Sequence, residues 1–336
     1  MVTNTNTETQ MRSFKMSDSG RIALVEESKP KPGVGQVLMR VRASSLNARD
    51  LFMLDGRYPV PTGRVPLSDG AGVIEEIGPG VTRFKVGDRV VNSFHPTWFG
   101  GPQREPGLLY HTDLDGWLRE YVVIDQQGLV MMPEHLDFTE AATLPCAAVT
   151  AWSAVAGVGA GDTVLIQGTG GVSLFALQLA RAAGARVIAT TSKETKAERL
   201  IELGASDVLN YATMPDWGAQ VRALTNGRGA DVVVDVGGAG TIAQSIAAVA
   251  YRGVISLVGH LAHDTTGMNL LDFSYSGATL RTIGGGSRSD LEDMNRVIEA
   301  HQLRPVIDRV FPFLEAPAAV SYMEQGAYFG KVVISH

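Results

Sequence analysis

Between Val164 and Ser173 the chain reads VLIQGTGGVS: a short apolar run, then Gly168, Thr169, Gly170, Gly171, Val172 and Ser173. The first glycine permits a tight turn, and the second lets backbone come close to a pyrophosphate. Amides at the start of a following helix then meet that anion. Val172, Phe175, Ala176, Leu179, Ala180 and Ala183 recur at the spacing of one helix face, so the turn should open a helix. Ser173 stands where the fingerprint usually carries its last glycine. That position serves close helix–strand packing, and serine adds only a small side chain there.

About 20 residues beyond such a turn, a site that prefers NAD carries an Asp or Glu for the ribose. Here Thr190, Thr191, Ser192 and Lys193 stand instead, with Lys196 one helical turn later. A carboxylate would repel a 2′-phosphate, whereas hydroxyls and ammonium groups bind it. Tyr211, after the next strand, could add a hydroxyl near the same phosphate. The expected cofactor is therefore NADP(H) in preference to NAD(H). Ser192 also reads as a helix N-cap, and the two lysines as solvated.

The elements around the turn follow an alternating pattern. Strands are expected near 163–167, 186–191, 207–210, 231–235 and 253–258, with helices near 171–183, 195–203, 215–225 and 240–249 between them. This predicts an α/β fold with a doubly wound parallel sheet. Asp137 and Glu140 have capping-box spacing, as do Ser289 and Glu292 ahead of a further helix. Upstream, from Lys15 to about Val130, short runs such as QVLMRVRAS, AGVIEEIG and GDRVVNS are broken by Gly and Pro. They read as an irregular, mostly antiparallel β domain. His95–Gly116 reads as a long loop of the kind that is usually functional, GKVVISH as a closing strand, and the Thr/Asn-rich first ten residues as loose.

Bulk composition bounds the function. The 336 residues carry a formal net charge of −6 with no Lys/Arg run, which argues against a nucleic-acid partner. Cys146 is the single cysteine, so neither an internal disulfide nor an all-cysteine zinc site can form. The polar N-terminus does not read as a secretion signal, and no apolar stretch is long enough to span a bilayer. A cytoplasmic protein without a membrane partner is expected.

The stretches SSLNARDLFMLDG, PLSDGAGVIEEIGPGVTRFKVGDRVV, TEAATLPCAAVTAW, GARVIATTSKETKAERLIELGA, VVVDVGGAGT, LVGHLA and GKVVI occur in order along nearly the whole chain. With the glycine turn, they resemble the medium-chain dehydrogenase/reductase superfamily, close to its zinc-independent, quinone-oxidoreductase-like branch. The resemblance implies a GroES-like β domain wrapped around a Rossmann domain, with an active site in the cleft. It divides the chain into 1–135 (catalytic domain), 136–285 (dinucleotide-binding domain) and 286–336 (a segment returning to the catalytic domain). A homodimer through the Rossmann sheet edges is implied as well.

Zinc members hold the catalytic ion with Cys, His and Cys. The resemblance places Asn47 and Ser68 at the first two of these positions and keeps only Cys146 at the third. Asn and Ser are poor zinc ligands and one thiolate cannot hold the ion alone, so no metal is expected. Asp69, Cys146 and His95 could form an improvised site, but their spacing matches no established metal pattern. Cys146 reads equally as a small buried residue at a helix start. Loss of zinc weakens the case for alcohol oxidation. Reduction of a conjugated carbonyl or quinone needs less Lewis-acid help, and NADPH brings the hydride itself.

Asn47 is then the candidate hydrogen-bond donor to substrate or nicotinamide ribose, or merely a turn cap. Asp50 would orient Asn47 or pair with Arg49. Arg49 and Phe52 occupy the neighbourhoods of the zinc enzymes' proton relay. Gly259, His260 and Leu261 lie where relatives place backbone against the nicotinamide. Ser287 and Arg288, after a Gly-rich string, lie near the cofactor or form a surface contact. Tyr58, Ser68, Phe94, His95, Trp98 and Cys146 are candidates for the substrate wall. An alcohol or aldehyde dehydrogenase and a nucleotide-binding non-enzyme, such as a crystallin-like protein or redox sensor, are the alternatives.

Overall fold

The computed structural model describes residues 10–261 and 267–336. The expectation of a loose N-terminus concerns residues that lie, but for Gln10, outside this range. The chain forms two compact units, one reaching to Val149 and resuming at Gly286–His336, the other Thr150–Gly285.

The first unit opens with β1 (Gln10–Met16) and β2 (Ile22–Ser28), paired antiparallel. Then come β3 (Gln36–Leu46), α1 (Ala48–Leu54), β4 (Asp69–Ile77), β5 (Arg89–Asn92), β6 (Tyr121–Asp125), β7 (Leu129–Met131) and α2 (Phe138–Ala141). A π-helical turn over Leu144–Ala148 leads into α3 (Val149–Ala154). No strand or helix of more than an isolated bridge interrupts the described loop from His95 to Gly116.

The second unit alternates as β8 (Thr163–Gln167), α4 (Gly171–Ala182), β9 (Arg186–Thr191), α5 (Glu194–Glu202), β10 (Asp207–Asn210), α6 (Trp217–Leu224) and β11 (Ala230–Asp235). It continues with α7 (Ile242–Ala248), β12 (Val249–Leu257), α8 (Leu270–Ser276) and β13 (Thr279–Thr282). Returning to the first unit, the chain adds α9 (Arg288–Ala300), β14 (Ile307–Pro312), α10 (Ala316–Glu324) and β15 (Lys331–Ser335).

The second unit's sheet is parallel throughout, in the order β10-β9-β8-β11-β12-β13. The order reverses beside β8, so the carboxyl ends of β8 and β11 flank the switch point at which open α/β sheets bind ligands. Near-continuous apolar strands such as Thr163–Gln167 and Ala230–Asp235 are what a sheet covered on both faces requires. Leu165, Ile188, Val233 and Ile255 meet Trp217, Val221 and Ile246 in its core.

The first unit carries a seven-stranded sheet ordered β14-β15-β3-β4-β5-β7, with β6 on β3. Apart from the parallel β14–β15 pair, its neighbours are antiparallel. The pairings Ser45 with Asp69 and Leu46 with Val332 matter most, because they bring three distant segments to one end of β3.

Three expectations need correction. Residues 136–149, read as the start of the dinucleotide-binding domain, group with the first unit, because α2 packs on β3, β4 and β15. The capping box before α9 is Ser287 with Asp290, not Ser289 with Glu292. The Ser287 hydroxyl accepts from the Asp290 amide at 3.1 Å, and the Asp290 carboxylate accepts from the Ser287 amide at 2.8 Å. Lys193, not Ser192, occupies the N-cap position of α5: its backbone is extended and its carbonyl accepts from the Ala197 amide at 3.1 Å. The box at Asp137 and Glu140 forms as expected. Among the described residues no helix is long and apolar enough to cross a membrane.

Candidate active site

Asn47 sits between β3 and α1, buried. Its Nδ2 donates to Asp69 Oδ2 at 2.9 Å, and its Oδ1 accepts from Lys331 Nζ at 2.6 Å. The Asn47 side chain is therefore more than a turn cap. Lys331, first residue of β15 and 3% exposed, also donates to the Leu46 carbonyl at 2.7 Å and lies 3.9 Å from Asp69 Oδ2. Asp69 Oδ1 is buried without a hydrogen-bond partner. Burial pushes the Asp69 carboxyl up to about 7, against the pull of Lys331 and the Asn47 bond. Burial likewise drives the Lys331 amine down, only partly offset by the neighbouring carboxyls.

Asp50 forms the second half of this cluster. It does not pair with Arg49. Its carboxylate accepts from the Asn47 amide at 2.8 Å, from Ser68 Oγ at 3.1 Å and from His111 Nδ1 at 2.9 Å. Burial alone would raise its pKa, but the His111 bond and the charges of His111 and Arg49 outweigh it and hold the group below the usual carboxylate range. Arg49 donates instead to Ser68 Oγ and, at 3.1 Å, to the Tyr110 carbonyl, with its guanidinium 5.2 Å over the Phe94 ring. Two neighbours have left-handed backbone, Leu67 with φ 74° and His111 with φ 73°. For non-glycine residues this is a local strain that the surrounding contacts sustain.

Cys146 lies in the π-helical turn, and its thiol is pushed far up by burial and by the Asp69 carboxyl, so it stays protonated at neutral pH. His95 stacks edge-on between Phe94 and Trp98, at 4.9 and 5.5 Å between ring centres. Tyr58 is exposed and packs edge-on with Phe52. Ser287 caps α9, and Arg288 is engaged within the same unit by Gln127, by Glu292 at 3.5 Å and by the Phe99 ring.

In the second unit Gly168 has φ 71°, the conformation that a tight turn needs and other residues resist. A side chain on either Gly168 or Gly170 would point into open space. No side chain caps the twelve-residue helix α4 that starts at Gly171. Ser173 replaces the last glycine of the fingerprint with a bond: its hydroxyl donates to the Gln167 carbonyl at 2.6 Å and ties helix to strand. The cradle thus fits a pyrophosphate, with open room over the turn and helix amides directed at it.

Beside the turn, buried Asp235 takes the amides of Gly237 and Gly238 and the hydroxyls of Thr241 and Ser245 at 2.6–3.1 Å. This fixes the loop after β11, and Gly238 is packed so closely on His260 that a side chain would meet the ring. His260 and Leu261 are exposed. At the ends of β9 and β10, Thr191 pairs with Asn210 and its carbonyl accepts from the Tyr211 amide at 3.0 Å. Ser192, Lys193 and Tyr211, all exposed, are thereby brought together, with Lys196 following in α5.

His111 and Lys331 are the site residues that sequence reading passed over. Each lies far along the chain from its partner, 61 residues from Asp50 and 284 from Asn47, and neither sits in a pattern that marks a buried polar role.

Residues 33–134 match the family model described as an alcohol dehydrogenase GroES-like domain, and residues 171–300 the one described as a zinc-binding dehydrogenase. A zinc-type alcohol dehydrogenase-like protein of Schizosaccharomyces pombe is 42% identical, over 89% of this chain and 90% of its own. A quinone oxidoreductase of Pseudomonas aeruginosa is 31% identical over 90% and 92%. The solved structure of an NAD-dependent alcohol dehydrogenase superposes with a TM-score of 0.90 at 34% identity, covering 97% of this chain and 100% of the other.

Proposed function

Because the chain belongs to the medium-chain dehydrogenase/reductase superfamily and is an oxidoreductase of that family, we propose that it reduces a conjugated carbonyl or quinone with NADPH and without zinc. The observation that carries this reading is the pair of bonds on Asn47. Where zinc relatives hold their ion, an amide here is shared between Lys331 and Asp69. Two carboxyls, Asp50 and Asp69, face two basic side chains, Arg49 and Lys331, while Cys146 keeps its proton. The carboxyls are themselves metal donors, but Asp69 is engaged by Asn47 and Lys331, and Asp50 by Ser68 and His111. Among the described residues no three His, Cys, Asp or Glu side chains are grouped to hold an ion, so the donor set does not fit one.

In this reading Gly168, Thr169, Gly170, Gly171 and Val172 cradle the pyrophosphate, and Thr191, Ser192, Lys193, Lys196 and Tyr211 receive the 2′-phosphate. Gly259, His260 and Leu261 line the nicotinamide. When bound, the reduced nicotinamide supplies a hydride. Asn47 donates a hydrogen bond to the acceptor oxygen of the substrate, whose conjugation spreads the charge that a metal would otherwise stabilise. Asp50 holds the Asn47 backbone and Ser68, while Tyr58, His95, Trp98 and Cys146 form the substrate wall. Ser287 and Arg288 shape the loop beside it.

The test is turnover of a panel of enones, quinones and aldehydes with NADPH and with NADH, before and after dialysis against a chelator. Loss of reduced-nicotinamide absorbance with enones or quinones, unchanged by the chelator, is the expected result. Activity that needs about one zinc per chain would overturn it. A second reading, alcohol oxidation, draws on the names of the yeast relative and of the solved dehydrogenase. Oxidation of simple alcohols outpacing enone and quinone reduction would favour it.

A further inference from the structure

Lys331 is the least expected polar group in the first unit. A lysine is almost never fully buried without a partner, because its amine forgoes strong hydration. Here the side chain passes inward from the start of β15 and spends its donors on the Leu46 carbonyl and the Asn47 amide oxygen. The pairing of β15 with β3 fixes this approach, since Val332 lies opposite Leu46.

The consequence falls on Asn47. An amide side chain can flip, presenting either its oxygen or its two N–H bonds to a given direction. Lys331 Nζ can only donate when protonated, and Asp69 Oδ2 can only accept when ionised, so together they select one orientation. Oδ1 faces Nζ at 2.6 Å and Nδ2 faces Asp69 at 2.9 Å. One Nδ2–H is thereby taken by Asp69, and the amide offers its second N–H to an acceptor. The flipped amide would offer its oxygen and repel the oxygen of a carbonyl substrate.

Resting on the reading in which Asn47 donates to the acceptor oxygen, we propose that Lys331 is the positioning residue of that site. It locks the Asn47 amide in its donor orientation from the start of β15. No proton changes hands in this role, and Lys331 does not itself touch the substrate.

The test is a double-mutant cycle in the full chain. Lys331→Met alone strands a buried carboxyl, so Lys331→Met/Asp69→Asn is made beside it to keep the pocket free of an unpaired charge. Each change is combined with Asn47→Ala. Turnover of an enone or quinone identified in the panel, the dissociation constant of NADPH, and the side-chain amide resonances of Asn47 in a ¹⁵N–¹H spectrum are measured.

If Lys331 acts through Asn47, its replacement lowers kcat by about tenfold or more in the native background and by less than about twofold when Asn47 is alanine. NADPH affinity stays within about twofold, because the cofactor residues lie in the other unit. The paired Asn47 amide signals shift and broaden in both lysine variants. Equal losses of kcat in the two backgrounds, or Asn47 signals unmoved by Lys331→Met/Asp69→Asn, would overturn the assignment. A wild-type chain that turns over no probe, with Asn47 signals that still respond, would remove the proposed reaction and support the orienting role.

Discussion

Asp50 and Asp69 are both buried, yet their surroundings drive them in opposite directions. Asp50 has three donors and sits low, whereas Asp69, with one oxygen lacking a partner, is pushed up to about 7 from an ordinary 3.8. Between those two values the folded chain keeps a proton that the unfolded chain has released. The stability owed to this carboxyl is therefore full below about pH 3.8 and is lost as pH rises to 7. Urea denaturation across pH 4–7 should show the wild type losing stability more steeply than Asp69→Asn, and parallel profiles would contradict the shift. His111 is the counterpart test. His111→Ala removes a donor from a buried carboxylate and should cost about 2–4 kcal/mol. His111→Asn, which tolerates the left-handed backbone and can still donate, should lose less. Unfolding midpoints of the two variants decide between these outcomes.

At the scale of elements, the proposed function gives the choice of nicotinamide nucleotide to the carboxyl ends of β9 and β10. Ser192 stands where a ribose-binding acid would stand, with Lys193 beside it and Tyr211 just after the neighbouring strand. Ser192→Asp should weaken NADPH by at least about tenfold, on the order of 1.4 kcal/mol, and leave NADH unchanged or tighter. Fluorescence titration of both nucleotides tests this, and an unaltered NADPH affinity would remove the role given to this strand end. These strands were readable from sequence because a covered parallel sheet demands unbroken apolar runs bounded by turns. Strands β8, β9 and β10 fall on the residues expected. The cap of α9 was misplaced because SRSDLE holds two overlapping candidate boxes, and local pattern cannot say which serine is buried. Asn47, Asp50, Ser68 and Cys146 could be named in advance only through the family resemblance. The bonds that give them meaning could not, because Lys331 and His111 reach them only through sheet register and a loop path.

For the whole molecule, the second unit's sheet ends in β13, an edge strand with no neighbour on its outer side among the described residues. Tyr251 of the neighbouring β12, and Leu270, Leu271 and Tyr275 of α8, which packs on β12, are all strongly exposed, Tyr275 at 76%. An open edge flanked by exposed apolar side chains invites pairing with a second copy. The expected homodimer would bury this face. Leu271→Asp/Tyr275→Asp should then sediment as a monomer in analytical ultracentrifugation while still binding NADPH. A wild type that sediments as a monomer at micromolar concentration would set the expectation aside.

The antiparallel pairing of β15 with β3 has a further consequence, for the order of events during synthesis. Leu46 and Asn47 leave the ribosome early, but Lys331 follows only after the whole of Thr150–Gly285 has been made. The nucleotide-binding unit is continuous in sequence and can complete its sheet while the rest is still being translated. The first unit must hold the Ala43–Leu46 end of β3 without its β15 partner until the last strand arrives. A nascent chain arrested before residue 331 would therefore already be able to capture nucleotide, yet lack the side chain that aligns Asn47.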